Sequence, residues 1–318
     1  MPGTGFRIDC MKKARFVRVD VFAAKPFGGN PLAVFPDGRG LTSEDMQSLA
    51  KEMNLSETTF VVPPSKGSGA DFRVRIFVPD MEIRYAGHPT LGTFFVLAHE
   101  GRIKLKTPVT TKLMEVKAGV MPVEIHSRNG KISKIVTVQN KPEFGRVFDD
   151  VGIFADALSL DESDFDPEGM PIQLVSTGLP WVIAPVKSRK AVERASGNAA
   201  AFAKAIEPLP KGVVDIYVTC LDPVQKSSTT HSRGFSLVSR SVVEDPATGS
   251  ASGCLGAYLV HRKLVPVKPS TEIVNEQGYE IGRASRIDIE VGTNTRGVIE
   301  SVRVGGSVVL MMDGVAYL

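Results

Sequence analysis

Two loops far apart in the chain carry small, polar and ionisable residues in the same arrangement: Ala86-Gly87-His88-Pro89-Thr90 and Asp245-Pro246-Ala247-Thr248-Gly249-Ser250. Each follows an Arg-x-Phe strand, Arg75 to Phe77 in one copy and Arg233 to Phe235 in the other. Each then opens into an apolar run, Thr93 to Ala98 or Cys254 to Val260, that reads as a buried helix. Free N–H groups and the dipole at a helix start make an anion site. Two such sites, expected to face each other across a cleft between two lobes, would hold a small carboxylate. Gly87, His88, Thr90, Thr248, Gly249 and Ser250 are therefore candidate substrate-binding residues. A neutral His88 imidazole could exchange hydrogen bonds with a reacting group, and the Asp245 carboxyl could orient or protonate it. On residue type alone, His88 is as readily structural, Asp245 before Pro246 a turn or cap, and Ser250 an ordinary first-turn residue.

Around these loops the elements are mostly strands. Period-two alternation marks Phe16 to Phe22, and Leu32 to Phe35 is a short strand. Thr42 or Ser43 can cap a helix that carries Met46, Leu49, Ala50 and Met53 on one face and stops near Asn54. Ser56 to Val62 and Phe72 to Phe77 read as strands, and Asn129-Gly130 joins a hairpin of Val116 to Ile125 and Lys131 to Val138. Residues 149–159 and 191–206 read as helices, Ile172 to Ser176 and Val213 to Val218 as strands, and the chain ends in short strands separated by Gly turns. The regular strand–helix alternation of a parallel sheet is missing, so the fold class is α+β with mixed or antiparallel sheets. Two lobes suit the 318-residue length. The expected boundaries are a loose extension over 1–13, a first lobe of 14–125 plus roughly 303–318, and a second lobe of 126–302.

Four motifs, Gly29-Asn30-Pro31-Leu32-Ala33-Val34, Asn54-Leu55-Ser56-Glu57-Thr58, Gly87-His88-Pro89-Thr90 and Glu244 to Ser250, stand in the order found in the phenazine-biosynthesis F-like family. The chain resembles that family over nearly all of its length after residue 14. The resemblance implies a diaminopimelate-epimerase-like fold of two pseudo-symmetric lobes, each a barrel-like sheet wrapped around a central helix. It also implies a cofactor-independent isomerase, usually a homodimer, that shuttles a proton on a small carboxylated substrate. Carried over position by position, the catalytic acid falls on Glu57, with His88, Asp245 and Ser250 at the other catalytic positions and Asn30 among the binding residues. The chemistry is consistent, because a carboxyl made less acidic by desolvation can act as base in one step and acid in the next. Glu57 lies in the otherwise uncharged segment Met53 to Val62. An epimerase or racemase using Glu57 and Asp245 as opposed acids is the first alternative, and a noncatalytic carboxylate binder or scaffold the second.

Other classes find little in the sequence. A formal net charge of +3 with no basic cluster among aromatics argues against nucleic acid. No apolar run is long enough to span a membrane. Cys10, Cys220 and Cys254 make no disulfide framework, which points to a cytoplasmic protein. A two-thiol racemase is disfavoured, because Ala86 and Asp245 occupy the places where thiols would be expected and Cys254 lies a turn inward. The glycine spacing from Thr248 to Gly256 is wrong for a dinucleotide loop. The histidines at 88, 99, 126, 231 and 261 have no ligand-like spacing, so neither cofactor nor metal is expected.

Overall fold

The computed structural model describes residues 12–209, 215–238 and 240–318. Cys10, most of the expected extension, and residues 213 and 214 of the expected strand lie outside them. The described residues fall into two compact units, one of 12–21, 31–135 and 308–318, the other of 22–30 and 136–307. The first division falls inside the strand Lys131–Gln139, ten residues beyond the expected boundary, and residues 22–30 belong with the second unit. Strands and helices are numbered in chain order.

In the first unit β1 (Lys13–Val21) pairs antiparallel with the C-terminal strand β18 (Val308–Tyr317). Lys12 exchanges backbone hydrogen bonds with Leu318, so residues 12 and 13 belong to this ladder rather than to a loose extension. Strand β2 (Asn30–Phe35) crosses through α1 (Ser43–Met53) to a parallel β3 (Thr58–Val62). Thr42 starts α1 by a reciprocal cap, accepting from the Asp45 N–H while the Asp45 carboxylate accepts from the Thr42 N–H, and Asn54 ends it in the left-handed region. Antiparallel β4 (Phe72–Phe77) follows, then the short β5 (Glu82–Ile83) and α2 (Gly87–His99). Strand β6 (Val109–Val116) pairs parallel to β4 and antiparallel to β7 (Gly119–Arg128). Asn129 and Gly130, both at positive φ, form the primed turn into β8 (Lys131–Gln139).

The second unit repeats this order of pairings. It begins with β9 (Glu143–Phe148), α3 (Gly152–Leu158) and β10 (Ile172–Ser176), the two strands antiparallel. Strand β11 (Pro180–Pro185) crosses through α4 (Arg189–Arg194) and α5 (Ala199–Ile206) to a parallel β12 (Asp215–Cys220). Antiparallel β13 (Thr230–Val238) and β14 (Ser241–Asp245) lead into α6 (Gly249–His261). Strand β15 (Ser270–Gln277) then pairs parallel to β13, and β16 (Ser285–Thr293) and β17 (Ile299–Gly306) follow antiparallel. The single helix expected over 191–206 is in fact two. Ala195 leaves helical geometry, and Asn198 restarts the helix by accepting from the Ala201 N–H at 3.2 Å.

Helices α2 and α6 are the axes of their units. Each has 13 residues, and α6 is buried on every face, as its uniformly apolar or small sequence requires. Helix α2 packs on β1, β3, β7 and β18, and α6 on β10, β11, β15, β16 and β17.

Candidate active site

In the first unit the left-handed Asn54 turns the chain out of α1 and delivers Glu57 to the start of β3. Pairing of β3 with β4, and of β4 with β5, places Ala86 and the first turn of α2 next to it. His88 and Glu57 meet there, with His88 Nε2 3.3 Å from Glu57 Oε2 and the side chains 7% and 16% exposed. Burial pushes the His88 pKa down to about 3, so the imidazole is neutral and the contact is not an ion pair. Its Nε2 makes no hydrogen bond among the described residues. Ala86, the residue before α2, gives no side-chain cap, and a Cβ on Gly87 would meet open space. Thr90 is fully buried and donates its hydroxyl to the Ala86 carbonyl at 2.9 Å, which holds the loop against the helix.

In the second unit the corresponding loop is built around Asp245, the last residue of β14. Asn30 Nδ2 donates to Asp245 Oδ1 at 2.9 Å and to the Ala247 carbonyl at 3.1 Å, and the Thr248 hydroxyl donates to Asp245 Oδ2. Burial raises the Asp245 pKa to about 6, and these two donors oppose the rise. Ser252 donates to the Thr248 carbonyl at 2.8 Å, repeating the bond that Thr90 makes in α2. Ser250 is half-buried, and its Oγ accepts from Trp181 Nε1 at 3.2 Å. Gly249 lies against Phe22, whose ring a Cβ would approach to 3.1 Å.

The structure thus brings Glu57 to His88, and Asn30 to Asp245 and Thr248, as groups within their own units. Over residues 19–314 the sequence matches the family described as phenazine biosynthesis-like protein. The chain belongs to that family. Similar proteins include the trans-2,3-dihydro-3-hydroxyanthranilate isomerase of Pseudomonas aeruginosa, 34% identical with 96% of this chain and 99% of that protein aligned. The crystal structure of a Bacillus anthracis phenazine biosynthesis protein of the PhzF family superposes with a TM-score of 0.87 at 31% identity, covering 97% and 100% of the two chains. An Agrobacterium vitis hydroxyproline epimerase shares the fold, with a TM-score of 0.65 at 14% identity over 97% and 92% of the chains.

This member of the phenazine biosynthesis-like family is an isomerase with the epimerase-type α+β fold. No described helix is long and apolar enough to cross a membrane. Burial pushes the Cys254 thiol up to about 11, and it contacts Thr177 Oγ1 at 3.4 Å.

Residue type and spacing gave no warning of several polar groups behind Asp245. Gln277, Asn275 and Tyr217 are fully buried and joined by hydrogen bonds to Thr248. Asp215 is a further acid; strand register puts it on the sheet face shared by Tyr217 and Asp245. Its Oδ1 is buried without a hydrogen-bond partner among the described residues. Burial, with a smaller contribution from the Asp245 charge, raises its pKa to about 7 against an opposing bond from Ser236. Asn275, Glu276 and Gln277 are consecutive polar residues at the end of β15, and residue type alone does not tell such a run from a solvated one.

Proposed function

We propose that this isomerase moves a proton within a small carboxylated substrate, with Glu57 as the group that takes the proton from one carbon and returns it to another. The observation that carries the reading is the buried contact of Glu57 with a neutral His88. A neutral imidazole can donate to one partner and accept from another, so it can follow the substrate as charge develops without carrying charge itself. Each helix start, α2 at Gly87 and α6 at Thr248, Gly249 and Ser250, presents backbone donors of a kind suited to a carboxylate. Asp245 orients or protonates the substrate, and Asn30 holds Asp245 in place. The name of the Pseudomonas aeruginosa relative suggests a ring carboxylate bearing amino and hydroxyl groups as the substrate class. A cytoplasmic homodimer belongs to the same reading; sedimentation analysis tests the dimer.

The alternative is epimerisation with Glu57 and Asp245 as the two acids. The high pKa of Asp245 favours it, because a carboxyl titrating near 6 can both give and accept a proton near neutrality. Incubating a panel of small carboxylates in deuterium oxide with enzyme distinguishes the two. Proton transfer between carbons incorporates deuterium and moves a double bond, whereas epimerisation incorporates deuterium and keeps connectivity. Glu57→Gln is expected to cut exchange by about 100-fold or more while the fold persists. Near wild-type exchange in that variant removes Glu57 from the mechanism.

A further inference from the structure

Behind Asp245, four side chains on two strands and one loop form a line of hydrogen bonds whose directions follow from fixed backbone groups. We infer that Gln277 is the positioning residue of this line and that it compels the Thr248 hydroxyl to point its proton at Asp245.

Gln277 is fully buried and ends β15. Two backbone groups fix which way its amide faces. The Asp245 carbonyl can only accept, and Gln277 Nε2 lies 2.7 Å from it. The Thr248 N–H can only donate, and Gln277 Oε1 lies 2.9 Å from it. A flipped amide would set acceptor against acceptor and donor against donor, so this orientation is the only one the backbone permits. Tyr217 lies with its hydroxyl 2.6 Å from the same Oε1 and must therefore donate to it. The phenol oxygen in turn accepts from Asn275 Nδ2 at 2.7 Å. Asn275 is oriented by the Thr230 hydroxyl, which donates to its Oδ1 at 2.8 Å, while the Ser232 hydroxyl lies 2.8 Å from that oxygen and from Thr219 Oγ1.

At the other end, the second N–H of Gln277 Nε2 points to Thr248 Oγ1 at 2.9 Å. The Gln277 N–H cannot accept the hydroxyl proton, which is directed instead at Asp245 Oδ2. With Asn30 donating to Oδ1, the Asp245 carboxylate receives one fixed donor on each oxygen. Two acids face or adjoin it. Asp215 comes from β12, and Glu244 precedes it on β14, where Arg233 Nη2 holds the Glu244 carboxylate at 2.6 Å. The donors oppose these charges and the loss of water. Gln277 thus sets how readily Asp245 ionises while bonding its backbone carbonyl and not its carboxylate.

The test is a carbon-13 NMR titration of the Asp245 carboxyl in the whole protein, its signal assigned with Asp245→Asn. The wild-type midpoint is expected near 6. Thr248→Val deletes the donor. Gln277→Glu, when ionised, accepts the Thr248 proton and adds charge. Both are expected to raise the midpoint by about one pH unit or more, whereas Thr248→Ser keeps the hydroxyl and stays within about half a unit of wild type. An unchanged midpoint in the Gln277 variant or in Thr248→Val, or an equal rise in Thr248→Ser, overturns the inference. Should Gln277→Glu fail to fold, Gln277→Met, which keeps the length and removes the amide, takes its place, and a rise is again expected. The catalytic meaning of the relay rests on the function proposed above, but the titration needs no turnover. Loss of the Glu57 mechanism would leave its result unaffected.

Discussion

Burial holds the Asp245 carboxyl near 6, about two units above an unfolded aspartate. Between about pH 4 and 6 the folded chain therefore binds the proton that the unfolded chain has released, and stability falls as pH rises through that window. The loss is on the order of 3 kcal/mol by pH 7. Relative to wild type, Asp245→Asn is expected to gain that amount between pH 4 and pH 7, read as the change in the stability difference from urea unfolding at both values. His88 has the opposite sign. Its folded pKa is depressed to about 3, so the unfolded chain takes up the proton first, and stability falls as pH drops below about 6.5. Removing the ring in His88→Gln is expected to abolish about 2 kcal/mol of acid destabilisation between pH 7 and pH 5, measured in the same way. Opposite slopes at these two residues would show that burial disfavours the charged form of both.

Helices α2 and α6 owe their place at the centre of each unit to small residues. A Cβ on Gly253 would fall 1.8 Å from Gln139 Oε1. Gln139 cannot yield freely, because its Nε2 donates to the Gly249 carbonyl at 3.0 Å and its Oε1 accepts from Thr177 at 2.6 Å. Gly253→Ala is accordingly expected to cost about 1–3 kcal/mol and to loosen the first turn of α6. Gly87 differs, since a Cβ there meets nothing within 4 Å. Gly87→Ala is expected to be neutral or stabilising by up to about 1 kcal/mol through lower chain entropy. Urea unfolding of the two variants side by side reads both signs. A destabilised Gly87→Ala would mean that the first turn of α2 lacks the room seen in the structure.

For the molecule as a whole, a carboxylate that binds only the folded chain must raise its unfolding free energy. At about 100 times its Kd, the gain is about 2.7 kcal/mol. A thermal-shift screen of ring and open-chain carboxylates is expected to find a stabilising compound, and Glu57→Gln should keep most of that shift while losing exchange. A variant that loses both has lost binding, not proton transfer.

Much of this architecture was legible in the chain. The two helix-start loops with their preceding Arg-x-Phe strands announced an internal repeat, and the repeated order of strand pairings in the two units has that origin. Alternation and capping residues placed most strands and α1, because those signals depend only on neighbours a few residues away. The family motifs marked Glu57, His88, Asn30 and Asp245. The break between α4 and α5 was missed because apolar spacing continues across it, while the stop comes from Gly197 packed against Val242 and from the Asn198 cap. The relay behind Asp245 was invisible for a related reason. Tyr217, Gln277, Asn275 and Thr248 are polar and spread over β12, β15 and the start of α6, so nothing local tells a buried, bonded group from a solvated one. Residue types fixed which groups could titrate; burial and the direction of backbone donors and acceptors, which exist only once the strands have paired, decided what state each one holds.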